Sequence, residues 1–217
     1  MSAQFQFLQN ETQFKAVLQH AGSVTFLNSQ NQVLLTVTHK FEFLGTCDAE
    51  PRYIAHHHEL GDVIQTHRVK VEKCCICCPT SVDFGIFAGQ EHLGSFRYPS
   101  RVQSGHMYVN VFTPTELLDA DGNFYLKYCK TTSNVFDAKS LKENESDIRT
   151  QTLITEGPNL VATLDTRSQG QPGVLPWNHS ATISVSPQLP VPTKLCLMMN
   201  AAMLLFDFWR RERQNRS

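Results

Sequence analysis

Apolar and polar residues alternate along most of this chain and stop alternating at its end. Residues 24–27, Val-Thr-Phe-Leu, precede a polar turn at 28–32 and then Val-Leu-Leu-Thr-Val-Thr at 33–38, a period of two that predicts a hairpin. The unit recurs. Residues 52–55 and 63–67 flank a turn at 58–62 containing Gly61, and residues 81–87 and 93–97 flank a turn at 89–92. Residues 109–118 and 124–128 flank Asp119-Ala120-Asp121-Gly122-Asn123, and strands at 153–166 and 182–185 follow. The units share a spacing without a strong repeat, and nothing between them reads as a linker, so one domain over residues 1–217 is expected. Ahead of them, Phe14, Val17 and Leu18 fall on one face of a helical wheel, which predicts a short amphipathic helix over about 11–20, ended near Gly22.

The terminal run has a different character. Between Leu195 and Trp209 only Asn200 and Asp207 are strongly polar, and Leu, Met and Ala dominate, which predicts a helix over about 193–212 with Thr193 as its cap. Apolar residues project in all directions from it, so this helix has no polar face and must be enclosed by protein or by lipid, with Leu195, Met199, Met203, Phe206 and Trp209 among the side chains expected to be buried. A membrane span needs about 20 apolar residues and this run is shorter, which favours a protein core. Burying ten such side chains contributes on the order of 15–30 kcal/mol before entropy is subtracted. Many antiparallel strands must close on themselves or expose edges. A mostly β chain with one all-apolar helix therefore predicts a closed antiparallel barrel, about 23–186, around a central C-terminal helix.

Charge changes this picture only locally. The 19 Lys and Arg nearly cancel the 20 Asp and Glu, and there is no basic stripe of the kind nucleic-acid binding needs. Arg210, Arg211 and Arg213 directly follow the apolar run, which suits a flank at an anionic lipid surface and equally suits the negative end of a helix dipole. The first residues, MSAQFQFLQN, have neither the basic region nor the apolar core of a secretory signal, and seven cysteines are an odd number, so the expected side is cytosolic and no disulfide framework is expected.

Candidate chemistry centres on Cys74, Cys75, Cys77 and Cys78. Neighbouring cysteines in an extended chain point to opposite faces and no second pair follows, which disfavours zinc. S-acylation and inert structural thiols remain as the two main readings, with metal or redox chemistry a weaker third. Acylation combined with the terminal segment would supply the two signals that a stable membrane anchor needs. His56, His57 and His58 run into a turn and read as a strand end rather than a metal site. Asp119, Asp121 and Asn123 resemble the start of a calcium loop, but Phe124 occupies the obligatory glycine position and Lys130 the closing carboxylate position, so a hairpin turn is expected. No glycine-rich phosphate loop, GxSxG elbow or HExxH motif is present, and no catalytic residue is assigned.

With these features in place, the chain resembles the phospholipid scramblase family, within the wider tubby-like fold group. The resemblance rests on CCICC at 74–78, VDFGIFAGQEHLGSF at 82–96, FDAKSL at 136–141 and LCLMMNAAMLLFDFW at 195–209, in that order and spacing. It implies a twelve-stranded barrel around the C-terminal helix, palmitoylated cysteines at the cytosolic face of the plasma membrane, and ATP-independent, calcium-dependent movement of phospholipids between leaflets. The partners it implies are membrane phospholipids, with a homo-oligomer or protein partner open. The chain departs from the calcium-sensitive pattern at 177–182, WNHSAT, which has no carboxylate, and it lacks the Pro-rich N-terminal arm. The alternative reading is a non-catalytic tubby-like module that binds phosphoinositide or a protein.

Overall fold

The computed structural model describes residues 3–19, 22–43, 49–73, 79–99, 114–131, 146–170 and 178–214. Its strands are β1 (Gln13–Gln19), β2 (Ser23–Leu27), β3 (Val33–Phe43), β4 (Ala49–His57), β5 (Gly61–Lys73) and β6 (Pro79–Ala88). They continue with β7 (Glu91–Pro99), β8 (Glu116–Leu118), β9 (Phe124–Thr131), β10 (Ser146–Glu156), β11 (Asn159–Gly170) and β12 (Asn178–Val185). Each pairs antiparallel with its neighbours in sequence, and β1 pairs with β12 from Gln13↔Ser184 to Val17↔Ser180, closing a twelve-stranded barrel. Closure leaves the sheet with no free edge.

Period-two patterning makes the wall amphipathic, and β12 shows it plainly: His179, Ala181, Ile183 and Val185 face inward and are buried, while the residues between them are partly exposed. The inward faces pack on one helix, α1 (Val191–Gln214). Leu195, Met199, Asn200, Met203, Phe206 and Asp207 on it are all buried. A helix is about 10–12 Å across with its side chains. The wall accommodates it by setting small inward residues, Ala16, Ala55, Ala162 and Ala181, among large ones such as Phe14, Phe26, Phe84 and Phe96. At Gly94 a Cβ would lie 2.7 Å from the Leu118 carbonyl and 3.4 Å from Cys196 Sγ, so glycine is what lets β7 run this close to β8 and the helix.

Two expectations need correction. Residues 13–19 are strand β1, not a helix over 11–20, because Phe14 and Ala16 alternate inward and β1 is the strand that closes the barrel. Tertiary pairing here overrides a local wheel pattern that fits both periods. The helical turn of this region lies earlier, a 3-10 helix at Ala3–Leu8 whose Phe5 and Leu8 are buried against the core. Finally, α1 starts at Val191, so Thr193 lies inside its first turn rather than capping it. Pro192 is tolerated there because first-turn amides have no intrahelical acceptor to lose.

The hairpin at 119–123 forms as expected. Asp119 Oδ1 accepts from the Asp121 and Asn123 amides at 3.0 and 2.8 Å, and these backbone bonds, chiefly that of Asn123, hold its carboxyl below the usual carboxylate range.

Candidate functional site: the polar groups along the enclosed helix

An all-apolar core would let α1 slide or rotate, and its polar residues mark where it is held. At the helix N-terminus, the buried Lys194 Nζ donates to the backbone carbonyls of Leu8, Gln9 and Glu11 at 3.2, 2.8 and 2.8 Å. The ammonium has three donors and three acceptors, so its burial is compensated. Burial still pushes the Lys194 pKa below its usual value, with the Glu11 charge opposing. A cation in the first turn also opposes the helix dipole, so the carbonyl cage has to supply what the helix does not.

At mid-helix, Asn200 Nδ2 donates to the Tyr98 hydroxyl at 3.0 Å, and that hydroxyl donates to Met203 Sδ at 3.8 Å. Asn200 Oδ1 and the buried Tyr128 hydroxyl meet no hydrogen-bond partner among the described residues. Burial raises the pKa of Tyr98 and of Tyr128, which stay protonated, and pushes the Cys196 thiol up to about 12, which makes it inert.

Towards the helix C-terminus, Arg210 Nη2 donates to Asp207 Oδ1, pairing a carboxylate that is buried with a guanidinium that is partly exposed. Tyr53 and His39 stand beside Phe206, with ring centroids 5.5 and 4.7 Å away, and His39 meets Trp209 edge-on at 5.3 Å. Burial raises the Tyr53 pKa, the Arg210 charge opposing and the Asp207 charge adding. His179 Nδ1 lies 2.9 Å from Ser168 Oγ on the inner wall, and its ring is 5.8 Å from that of Phe208.

Leu195, Met199, Met203 and Phe206 serve as core, and Asn200 and Asp207 as its polar fasteners. Trp209 is only partly buried, and Arg211 and Arg213 continue α1, with side chains outside the described set. Cys74, Cys75, Cys77 and Cys78 and the segment 136–141 lie outside the described residues. His57 packs on Phe7 at 5.1 Å, whereas His56 and His58 are exposed. Among the described residues no three His, Cys, Asp or Glu side chains are grouped to hold a metal ion. Sequence reasoning missed Lys194, Tyr98 and the pair His179 and Ser168. Of these only Lys194 carried a local signal, as a cation in the first turn of an otherwise apolar helix.

Residues Val191–Arg210 are long and apolar enough to cross a membrane, but 89 % of the qualifying stretch is buried inside the protein. In this fold the helix is barrel core. No protein-family model, no curated protein and no solved structure matches the chain.

Proposed function

We propose that this protein is a membrane-associated, phospholipid scramblase-like barrel that acts on bilayer phospholipids without ATP. The observation that carries the reading is the twelve-stranded closed barrel filled by an apolar C-terminal helix, the architecture implied by the resemblance at residues 74–78, 82–96 and 195–209. The folded barrel attaches from the cytosolic side, with Cys74, Cys75, Cys77 and Cys78 as acyl sites and Arg210, Arg211 and Arg213 near the lipid surface. Head groups need a polar route past hydrocarbon, and α1 offers none in this state, since Asn200 is engaged by Tyr98 and Asp207 by Arg210. Lipid movement is therefore assigned to an anchored barrel perturbing the bilayer, alone or as an oligomer, and not to conduction along α1. Without a carboxylate in residues 177–182, the activity is expected to be independent of calcium.

The burial of α1 favours a second reading, a soluble module of the tubby-like type that binds a phosphoinositide or a protein. Reconstitution separates the two. A fluorescent phospholipid in vesicles carrying the purified full chain should become reducible from outside beyond its outer-leaflet share, equally with calcium or a chelator. No increase over protein-free vesicles would reject the scramblase reading. Membrane partition from eukaryotic cells adds the anchor: changing the four clustered cysteines to serine should release the protein, and retention of that variant would reject acylation as the anchor.

A further inference from the structure

Residues 3–11 cross the barrel mouth at the N-terminal end of α1, and they are not held in one way along their length. Leu8, Gln9 and Glu11 supply the carbonyl cage of Lys194, and Leu8 itself is fully buried. The Glu11 carboxylate accepts from Asn28 Nδ2 at 3.5 Å, and Thr12 O accepts from the Val185 amide at 2.8 Å, which ties this half of the strap to the β2–β3 turn and to β12. The half formed by residues 3–7 is held differently. Phe5 is buried against the core, and the Phe7 ring packs 5.1 Å from that of His57 at the end of β4.

Alternation along β4 turns Tyr53, Ala55 and His57 into the barrel, so His57 meets the strap from the rim, at only 8 % exposure. Its Nδ1 accepts from the Glu59 amide at 3.2 Å, which fixes a neutral ring with its proton on Nε2. A second proton would set one N–H against another and place a cation where little water reaches it. The charged groups around the ring divide. His58, 4.5 Å away ring to ring, and His56 oppose a charge on His57, whereas Glu59 favours one. Glu59 and Asp62 also lie 3.5 Å from His58 and 3.2 Å from His56. From the other elements, residues 3–8 bring no charge, register sets the apolar Leu35 of β3 and Gly61 of β5 beside the ring, and Lys194 of α1 is turned into its carbonyl cage. The Phe7 ring offers a cation some attraction. Burial prevails, and the His57 pKa is held below its ordinary value.

From this arrangement we infer that residues 3–7 are the acid-released half of a strap over the barrel mouth, latched by neutral His57 against Phe7, while residues 8–11 stay clamped on Lys194 and the barrel stays closed. The inference stands apart from the membrane reading above. A protonated His57 is accommodated by swinging its ring out to water, which withdraws the surface on which Phe7 packs. Lys194 is a cation at neutral and acid pH alike, so its three bonds are indifferent to the change. The hinge therefore falls at Leu8, between the latch and the clamp.

The test is amide hydrogen exchange of the full chain, followed by NMR between about pH 7 and pH 5, with protection corrected for the intrinsic pH dependence of exchange. The Gln9 amide, which donates to Gln6 O at 3.0 Å, should lose protection by about threefold or more as pH falls. The Glu11 amide, which donates to Leu8 O at 3.3 Å, and the Val185 amide should keep theirs. His57→Phe keeps a ring against Phe7 and cannot take up a proton, so Gln9 protection in that variant should be constant across the range. His56→Asn combined with His58→Asn should leave a response of the same sign. A flat Gln9 profile in wild type, or His57 titrating at or above its ordinary value, overturns the latch, and both are read without any variant. So does a loss of Glu11 and Val185 protection in step with Gln9, which is opening of the whole mouth, and so does a response that persists in His57→Phe.

Discussion

The two ends of the enclosed helix are held by opposite means. At its N-terminus a buried cation is caged by three backbone carbonyls from the start of the chain, a contact spanning more than 180 residues of sequence. At its C-terminus a buried carboxylate meets a partly exposed arginine only three residues further along the same helix. The first fastener ties the helix to another part of the molecule. The second joins two residues of the helix itself, and ring contacts of Phe206 and Trp209 with His39 and Tyr53 accompany it at that end. The lesson is that an apolar helix in a barrel gains its cohesion from area but its position from a few polar bonds, and those of Lys194 at the N-terminus and Asn200 at mid-helix reach across most of the chain.

The largest expected effect is at Lys194. Lys194→Met keeps much of the apolar stem and removes three donors, leaving three carbonyls short of a partner, so unfolding in urea should lose about 3 kcal/mol. Introducing Lys194→Met into a chain lacking residues 3–11 should cost far less than in wild type, because that deletion already removes all three acceptor carbonyls. Additive losses would show that the clasp is not a unit.

Asp207→Ala should follow, at about 1–2 kcal/mol, since the pair is solvent-screened on the arginine side. A loss at Asp207 exceeding that at Lys194 would reverse the ranking of the two ends. Gly22→Ala probes the same end from the wall. Gly22 has φ of +78° in the turn between β1 and β2, where an added Cβ would touch the Trp209 ring at 3.5 Å. A cost of about 1 kcal/mol is expected from the strained backbone alone.

The smallest effect is a pH dependence at the N-terminal end. Burial holds the His57 pKa below its usual 6.5, and Nδ1 accepts from the Glu59 amide at 3.2 Å. The unfolded chain therefore binds more protons than the folded one just below pH 6.5, so stability should fall as pH drops from 7 towards 5. His57→Asn should flatten that slope, as read from urea midpoints across the range. An unchanged slope would assign the acid sensitivity elsewhere.

Much of the architecture was legible before folding. The turns at 28–32, 58–62 and 119–123 stand where Gly, Asn and Asp cluster between alternating runs, because turn chemistry is local. The helix at the end was legible because no apolar stripe can be drawn on it. Residues 13–19 were not, since seven residues with Phe14, Val17 and Leu18 fit a helical face and a strand face alike, and only pairing with β2 and β12 selects one. The partners of the polar fasteners were invisible for a related reason. Tyr98 and Asn200 lie 102 positions apart, and no local pattern specifies that they meet.

What the sequence determined by itself is the inventory: short alternating strands with turn residues between them, and one helix too apolar on all sides to face water. Both follow from interactions within a few residues of one another. What only tertiary structure decided is closure, by β1 pairing with β12, and the meeting of distant polar groups along the enclosed helix, Asn200 with Tyr98 and Lys194 with the carbonyls of residues 8, 9 and 11. These contacts join residues far apart in the chain, so they depend on where every intervening strand lies and form only when the barrel closes around the helix.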